Sequence, residues 1–93
     1  MRKHANRTYL FAPGNHERRV EKALGLGSDV VILDLEDAVA VSEKEKTRQL
    51  INKGLQQTRN CAAFVRINAY DTDFCFGDIY SIVSKNLDGI VLP

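Results

Sequence analysis

Tryptophan is absent from this sequence, cysteine occurs only twice, and neither sign of charge prevails. With 13 basic against 12 acidic residues the net charge is +1, so no electrostatic footprint for nucleic acid is present. The few aromatic residues are not interleaved with a basic patch, which also argues against single-strand binding. No apolar stretch approaches the roughly 20 residues needed to span a bilayer, so no membrane partner is expected. The basic start Met1-Arg2-Lys3-His4 is not followed by an apolar export region, which makes a cytoplasmic location the expectation. Cys61 and Cys75 match no metal or redox spacing and read as two reduced thiols. Repeats, low-complexity tracts and linkers are lacking too, so residues 1–93 are expected to form a single unit.

What is present is a regular alternation. Thr8–Phe11 is a short apolar strand closed by Ala12-Pro13-Gly14-Asn15, and a helix follows over 15–24 with Val20, Ala23 and Leu24 on one face. Gly25 and Gly27 supply the permissive backbone expected past a helix end. Asp29–Asp34 reads as a strand buried on both faces, because its apolar run is continuous rather than alternating. Ser42 and Glu45 form a capping-box pattern that opens a second helix to about Gln57, with Leu50, Ile51 and Leu55 inward. Ala62–Ile67 reads as another buried strand, and a third helix carries Ile79, Ile82, Val83 and Leu87 at helical spacing. Gly89–Pro93 is a fourth strand.

The order β-α-β-α-β-α-β, with short connections, predicts an α/β fold of parallel strands joined by right-handed crossovers. A last strand without a covering helix leaves a pairing edge open. A (β/α)₈ barrel averages about 250 residues, or about 31 per unit, so this chain corresponds to roughly three units and a strand. The expectation is the amino-terminal half of a (β/α)₈ TIM barrel, as a truncated product.

In such a sheet the sites gather at the carboxyl ends of the strands. Four features fall there: Pro13-Gly14-Asn15, then Asp34/Glu36/Asp37, then Arg66/Asn68, then Pro93. Three carboxylates within four positions repel one another unless a metal, an arginine or a substrate offsets them. Hard oxygen donors suit Mg²⁺, which often takes one or two carboxylates and keeps its waters. The plainer alternative has Asp34 capping a turn while Glu36 and Asp37 are rim charges. Arg66 closes an apolar run, where a guanidinium is costly unless paired. It either binds a substrate carboxylate or enolate oxygen, or forms a structural ion pair with Asp34, Glu36 or Asp37. Pro13-Gly14-Asn15 opens a helix whose N–H groups can hold an anion, or is a turn followed by an Asn N-cap. His4 and His16 have no ligand-spaced partner and read as surface residues, although His16 adjoins the expected mouth. Glu43, Lys44, Glu45, Lys46 and Arg48 read as a solvated helix face.

Taken together, Arg7–Asn15, Asp29–Val39, Val65-Arg66-Ile67-Asn68 and Leu87–Pro93 resemble the citrate lyase β-subunit-like family, within the wider HpcH/HpaI aldolase group. The resemblance implies a TIM barrel that performs Mg²⁺-dependent carbon–carbon cleavage or formation. Citryl- or malyl-type acyl thioesters, linked to coenzyme A or an acyl-carrier protein, would yield a short acyl thioester and an oxo acid. It places the family's substrate-binding arginine on Arg66; Pro13, Gly14 and Asn68, at the neighbouring strand ends, are substrate-binding candidates by their position. Glu36 and Asp37 fall on the acid loop that holds metal-bound water rather than the metal. It also implies a homo-oligomer, or membership of a lyase complex. The family's direct metal ligands, a Glu and an Asp, come from strands later than Pro93, as do the lysine after that proline and a segment closing sites between subunits. No direct metal ligand is therefore expected in this chain.

Three rivals differ in class. A dinucleotide-binding domain fits the acid after the second strand, but the first turn offers one glycine where the fingerprint needs three. A phosphotransfer or phosphatase domain fits Asp34, but Glu36 stands where a second Asp is expected. A half-barrel with open edges could also act only as a self-associating, non-catalytic fragment. The family resemblance predicts that the isolated 93-residue chain does not turn over. An assay of Mg²⁺-dependent thioester cleavage checks this, and turnover above background contradicts it.

Overall fold

The computed structural model describes residues 7–36, 39–69, 71–84 and 86–93. Four strands, β1 (Tyr9–Pro13), β2 (Val30–Asp34), β3 (Ala62–Arg66) and β4 (Gly89–Val91), alternate with α1 (Glu17–Gly25), α2 (Lys44–Leu55) and α3 (Cys75–Ile82). A 3₁₀ turn, Val41–Glu43, runs directly into α2. The strands pair in parallel in the order β1-β2-β3-β4. Sequential order with right-handed crossovers puts every helix on the same side of the sheet. That is the arrangement of a (β/α)₈ barrel wall. A doubly wound dinucleotide fold instead reverses its strand order at a switch point, and this sheet has none.

The two faces of the sheet differ accordingly. Val31, Leu33 and Leu35 join Ala63, Val65 and Ile67 beneath the helices, which contribute Val20, Leu24, Ile51, Leu55 and Ile82. Each fully buried aliphatic side chain here is worth about 1.5–3 kcal/mol relative to exposure. The other face carries Tyr9, Phe11, Ile32, Phe64, Asp34 and Arg66, and register aligns Phe11 with Ile32 and Phe64, and Pro13 with Asp34 and Arg66. β2 is buried along its whole length, as its continuous apolar run predicts. β3 is not: it alternates, with Ala63 and Val65 buried and the residues between them half-buried. The sequence cannot separate the two cases because Ala62-Ala63-Phe64-Val65 is apolar throughout.

Local signals misjudge several element ends. α1 is capped by His16 rather than Asn15: extended His16 offers its carbonyl to Val20 N at 3.0 Å and makes no side-chain cap. Asn15 Oδ1 is left buried with no hydrogen-bond partner among the described residues. After α1 only Gly27 has positive φ, +91°, while Gly25 is the last helical residue. The Ser42-x-x-Glu45 capping box does not form, because the 3₁₀ turn draws Ser42 into the helical run and Glu43 takes the N-cap position. Leu50 is only half-buried, and Thr47 and Gly54 share the inward face with Ile51 and Leu55. At the surface Lys53 bonds Glu17 at 2.5 Å, tying α1 to α2. That hydrogen bond, and then the opposite charge, holds the Glu17 carboxyl below its ordinary value and Lys53 above its own.

The apolar stripe expected on α3 is also rotated. Ile82 is fully buried, but Ile79 is 39% exposed and Val83 58%, and the second inward position belongs to Asp78, with no exposure at all. Leu87 lies beyond the helix and packs against the core in part. Ile82→Ala should therefore cost about 2–5 kcal/mol in urea unfolding. Val83→Ala should stay within about 0.5 kcal/mol, as an exposed site does; equal losses would contradict the observed helix orientation.

Candidate active site

Parallel pairing places Pro13, Asp34, Arg66 and Val91 in one row across the sheet. Arg66 meets Asp34 in a two-pronged pair, Nε to Oδ1 at 3.1 Å and Nη2 to Oδ2 at 2.6 Å. Such a fork fixes orientation as well as charge. The guanidinium also lies 5.3 Å from the centre of the Phe11 ring. Glu36 stands 3.9 Å from Arg66 Nε, and its own backbone N–H is held by Asp34 Oδ1 at 2.8 Å. One aspartate thus joins the arginine of β3 to the start of the acidic loop. An open recess of about 410 Å³ is lined by Phe11, Ala12, Pro13, Asp34 and Arg66.

The backbone around this row is tightly tied. Gly14 N–H donates to Asp34 O at 3.0 Å, and Leu35 N–H to Arg66 O at 2.9 Å. A Cβ on Gly14 would stand 2.6 Å from Ile51 Cδ1 and 2.8 Å from Asp34 O, so only glycine allows β1's exit to approach β2 so closely. Asn68 is buried. Its N–H and Nδ2 both donate to Asp78 Oδ2, at 2.8 and 2.6 Å, and Nδ2 also reaches Leu35 O at 3.4 Å.

For a metal, the donor set is partial. Among the described residues no group of three or more His, Cys, Asp and Glu side chains gathers as a metal cluster. Both Asp34 oxygens accept from Arg66, which suits them poorly to ligation. Glu36, half-exposed at the rim, is a carboxylate suited to holding a metal-bound water, the way Mg²⁺ often uses carboxylates.

A family model described as HpcH/HpaI aldolase/citrate lyase matches residues 7–93. The chain belongs to this family. It is 39% identical over 92 residues to a (3S)-malyl-CoA thioesterase of Cereibacter sphaeroides, covering 97% of this chain and 32% of that protein. To the citrate lyase subunit beta of Leuconostoc mesenteroides subsp. cremoris it is 40% identical over 89 residues, covering 94% and 30%. Among solved structures, Mycobacterium tuberculosis CitE in complex with magnesium, acetoacetate and coenzyme A matches with a TM-score of 0.78. The identity is 31%, over 96% of this chain and 33% of that one. The chain spans about a third of the length of the curated relatives it matches.

Within this HpcH/HpaI-family chain, Arg66, Pro13 and Glu36 meet at one rim, and Gly14 lies directly behind them. Asp37 lies outside the described residues, as does His4. His16 is exposed at the start of α1. Asn68 faces Asp78 with its amide nitrogen committed. The expected solvated face of α2 holds for Glu43, Glu45 and Lys46 but not for Lys44, 5% exposed, or for the largely buried Arg48. A charged run looks solvated in sequence, and only tertiary packing buries these two cations: the acidic loop closes over Lys44 and α3 packs against Arg48. Asp78 was missed for the same reason: a lone acid between Gly77 and Ile79 carries no local signal of burial. Gly14→Ala should destabilise the fold by about 1–3 kcal/mol by overpacking, measured by urea unfolding. An unchanged midpoint would contradict the tight approach of β1 to β2.

Proposed function

We propose that these residues form one wall of the active site of a Mg²⁺-dependent carbon–carbon lyase acting on citryl- or malyl-type acyl thioesters. The products are a short acyl thioester and an oxo acid. The observation that carries this reading is the fixed guanidinium of Arg66 at the carboxyl rim of a barrel-type sheet, beside the carboxylate of Glu36. Support comes from the relatives: a citrate lyase subunit, a malyl-CoA thioesterase, and a CitE structure holding magnesium, acetoacetate and coenzyme A.

In this reading Arg66 receives the substrate's carboxylate or the oxygen on which charge develops as the carbon–carbon bond breaks. A donor held in place beforehand stabilises that charge without reorganising during the step. Asp34 keeps the guanidinium aimed, and the Phe11 ring keeps it from folding away. Pro13 lines the recess, Gly14 lets β1's exit approach β2 behind it, and Asn68, bonded to Asp78, fixes the chain just after Arg66. Glu36, with Asp37, would help hold Mg²⁺ through water, and the ion would supply the positive charge that polarises the oxo-acid oxygens. Direct ligands to the ion would be other groups. A coenzyme A or acyl-carrier thioester, a homo-oligomeric or lyase-complex assembly and a cytoplasmic location belong to the same proposal. No helix among the described residues is long and apolar enough to cross a membrane.

A thioester hydrolase is the second reading, favoured by the malyl-CoA thioesterase relative. Product analysis separates the two: a lyase releases an acyl thioester and an oxo acid, a hydrolase a free carboxylic acid and the thiol. Grafting residues 7–93 in place of the matching segment of the Leuconostoc citrate lyase subunit beta should preserve Mg²⁺-dependent cleavage. Arg66→Ala within the graft should lower kcat/KM by about a hundredfold or more, the loss typical of one preorganised charge-stabilising donor. A change within about twofold would remove Arg66 from the reaction.

A further inference from the structure

Three charged side chains lie beside the rim, Lys44 and Asp78 buried and Arg48 largely so, and the proposed chemistry uses none of them. Lys44, at the first turn of α2, is 5% exposed and points its ammonium into the acidic loop. Its Nζ donates to the carbonyl oxygens of Leu35, Glu36 and Val39 at 3.0, 3.3 and 3.2 Å. One turn on, Arg48 donates through Nε to Asp78 Oδ1 at 2.9 Å, while Asp78 Oδ2 receives both N–H donors of Asn68. The two arms meet twice. Leu35 O accepts from Lys44 and from Asn68 Nδ2. Phe74 lies under the Lys44 ammonium, 5.3 Å from the ring centre, and gives its carbonyl oxygen to Arg48 Nη2 at 3.1 Å.

Packing alone does not call for this arrangement. A buried cation and a fully buried carboxylate lose hydration, and apolar residues of similar volume often serve stability as well or better. The next inward positions of the same helix, Ile51 and Leu55, are apolar in the usual way. The polar half of the helix lies under the loops that follow β2 and β3, where fixed loop geometry matters more than stability.

We propose that the first two turns of α2 act as a bracket that sets the distance between the acidic loop and the Asn68 loop. Lys44 and the Arg48–Asp78 pair are its positioning residues. The role assigned to them rests on the oxo-acid site proposed above. Lys44 holds the carbonyls of 35, 36 and 39, so the Glu36 carboxylate leaves the rim at a fixed angle. Arg48, through Asp78, holds Asn68 in place next to Arg66.

The test is amide hydrogen exchange by NMR on the full chain and on Lys44→Met and Asp78→Asn, each first shown to be folded by circular dichroism. An asparagine at 78 can still accept from Arg48 but turns a donor toward Asn68. In Asp78→Asn, exchange at Asn68 should speed up about tenfold more than at the strand amides of Val31 and Val65. In Lys44→Met, the Asn68 side-chain amide signals should shift although Lys44 does not touch them. If a variant fails to fold, Lys44→Gln and Arg48→Lys replace it. Unchanged Asn68 exchange, or acceleration equal to that of the strands, would overturn the bracket.

A calorimetric titration with oxaloacetate and Mg²⁺, on the graft of residues 7–93 into the Leuconostoc citrate lyase subunit beta, reads the functional half. Affinity should fall about tenfold in Lys44→Met, as one lost charge-assisted hydrogen bond implies. Altered exchange with unchanged affinity would overturn the positioning role. If the graft carrying the wild-type segment shows no binding, the function proposed for this segment fails, while the exchange data still decide the bracket.

Discussion

Asp34 and Arg66 meet because β2 and β3 run parallel and in register, and the candidate site depends on that alignment. The final residues of the two strands fall opposite one another on the face away from the helices, and a carboxylate and a guanidinium interlock there. The same aspartate accepts the Glu36 N–H, and its carbonyl receives Gly14 N–H. Asp34 is therefore bonded to β1's exit, to the acidic loop and to β3 at once. Any slip in register would send one of these side chains toward the helices and dissolve the row.

The apolar layer beneath the helices and the polar row above it depend on each other. Leu33 and Val65 are wholly buried, and their alternation with Asp34 and Arg66 fixes which residues face the recess. Around the rim the structure accepts charges that a stability-driven core would avoid: Lys44, Arg48 and Asp78 are all enclosed and bonded. Groups of this kind are expensive to bury, so a sequence that keeps them at the carboxyl ends of its strands is spending stability on geometry.

Much of this was legible in the sequence. The continuous run Val30–Asp34 announces a strand buried on both faces, and alternation with amphipathic helices announces parallel crossovers. From those two facts Asp34, Glu36 and Arg66 already share one end of the sheet. Long-range pairing among helical polar residues was not legible. Lys44 and Arg48 stand in a run of alternating charge that looks solvated, and Asp78 sits where periodicity asks for an apolar residue. Their burial follows from the acidic loop and α3 packing against α2, which no local pattern encodes. The capping box at Ser42 failed for a related reason, since the tertiary path into α2 begins with a 3₁₀ turn. The resemblance drawn from Arg7–Asn15, Asp29–Val39, Val65–Asn68 and Leu87–Pro93 reached the family that the comparison with residues 7–93 shows.

The central claim is that Asp34 and Arg66 act as one unit across β2 and β3. A double-mutant cycle in urea unfolding, with Asp34→Asn, Arg66→Gln and both together, measures it most directly. With Asp34 buried and Arg66 partly exposed, the expected coupling is about 1–2 kcal/mol, within the range for directly bonded neighbours. Losses that add within about 0.3 kcal/mol, as for distant independent sites, would contradict it.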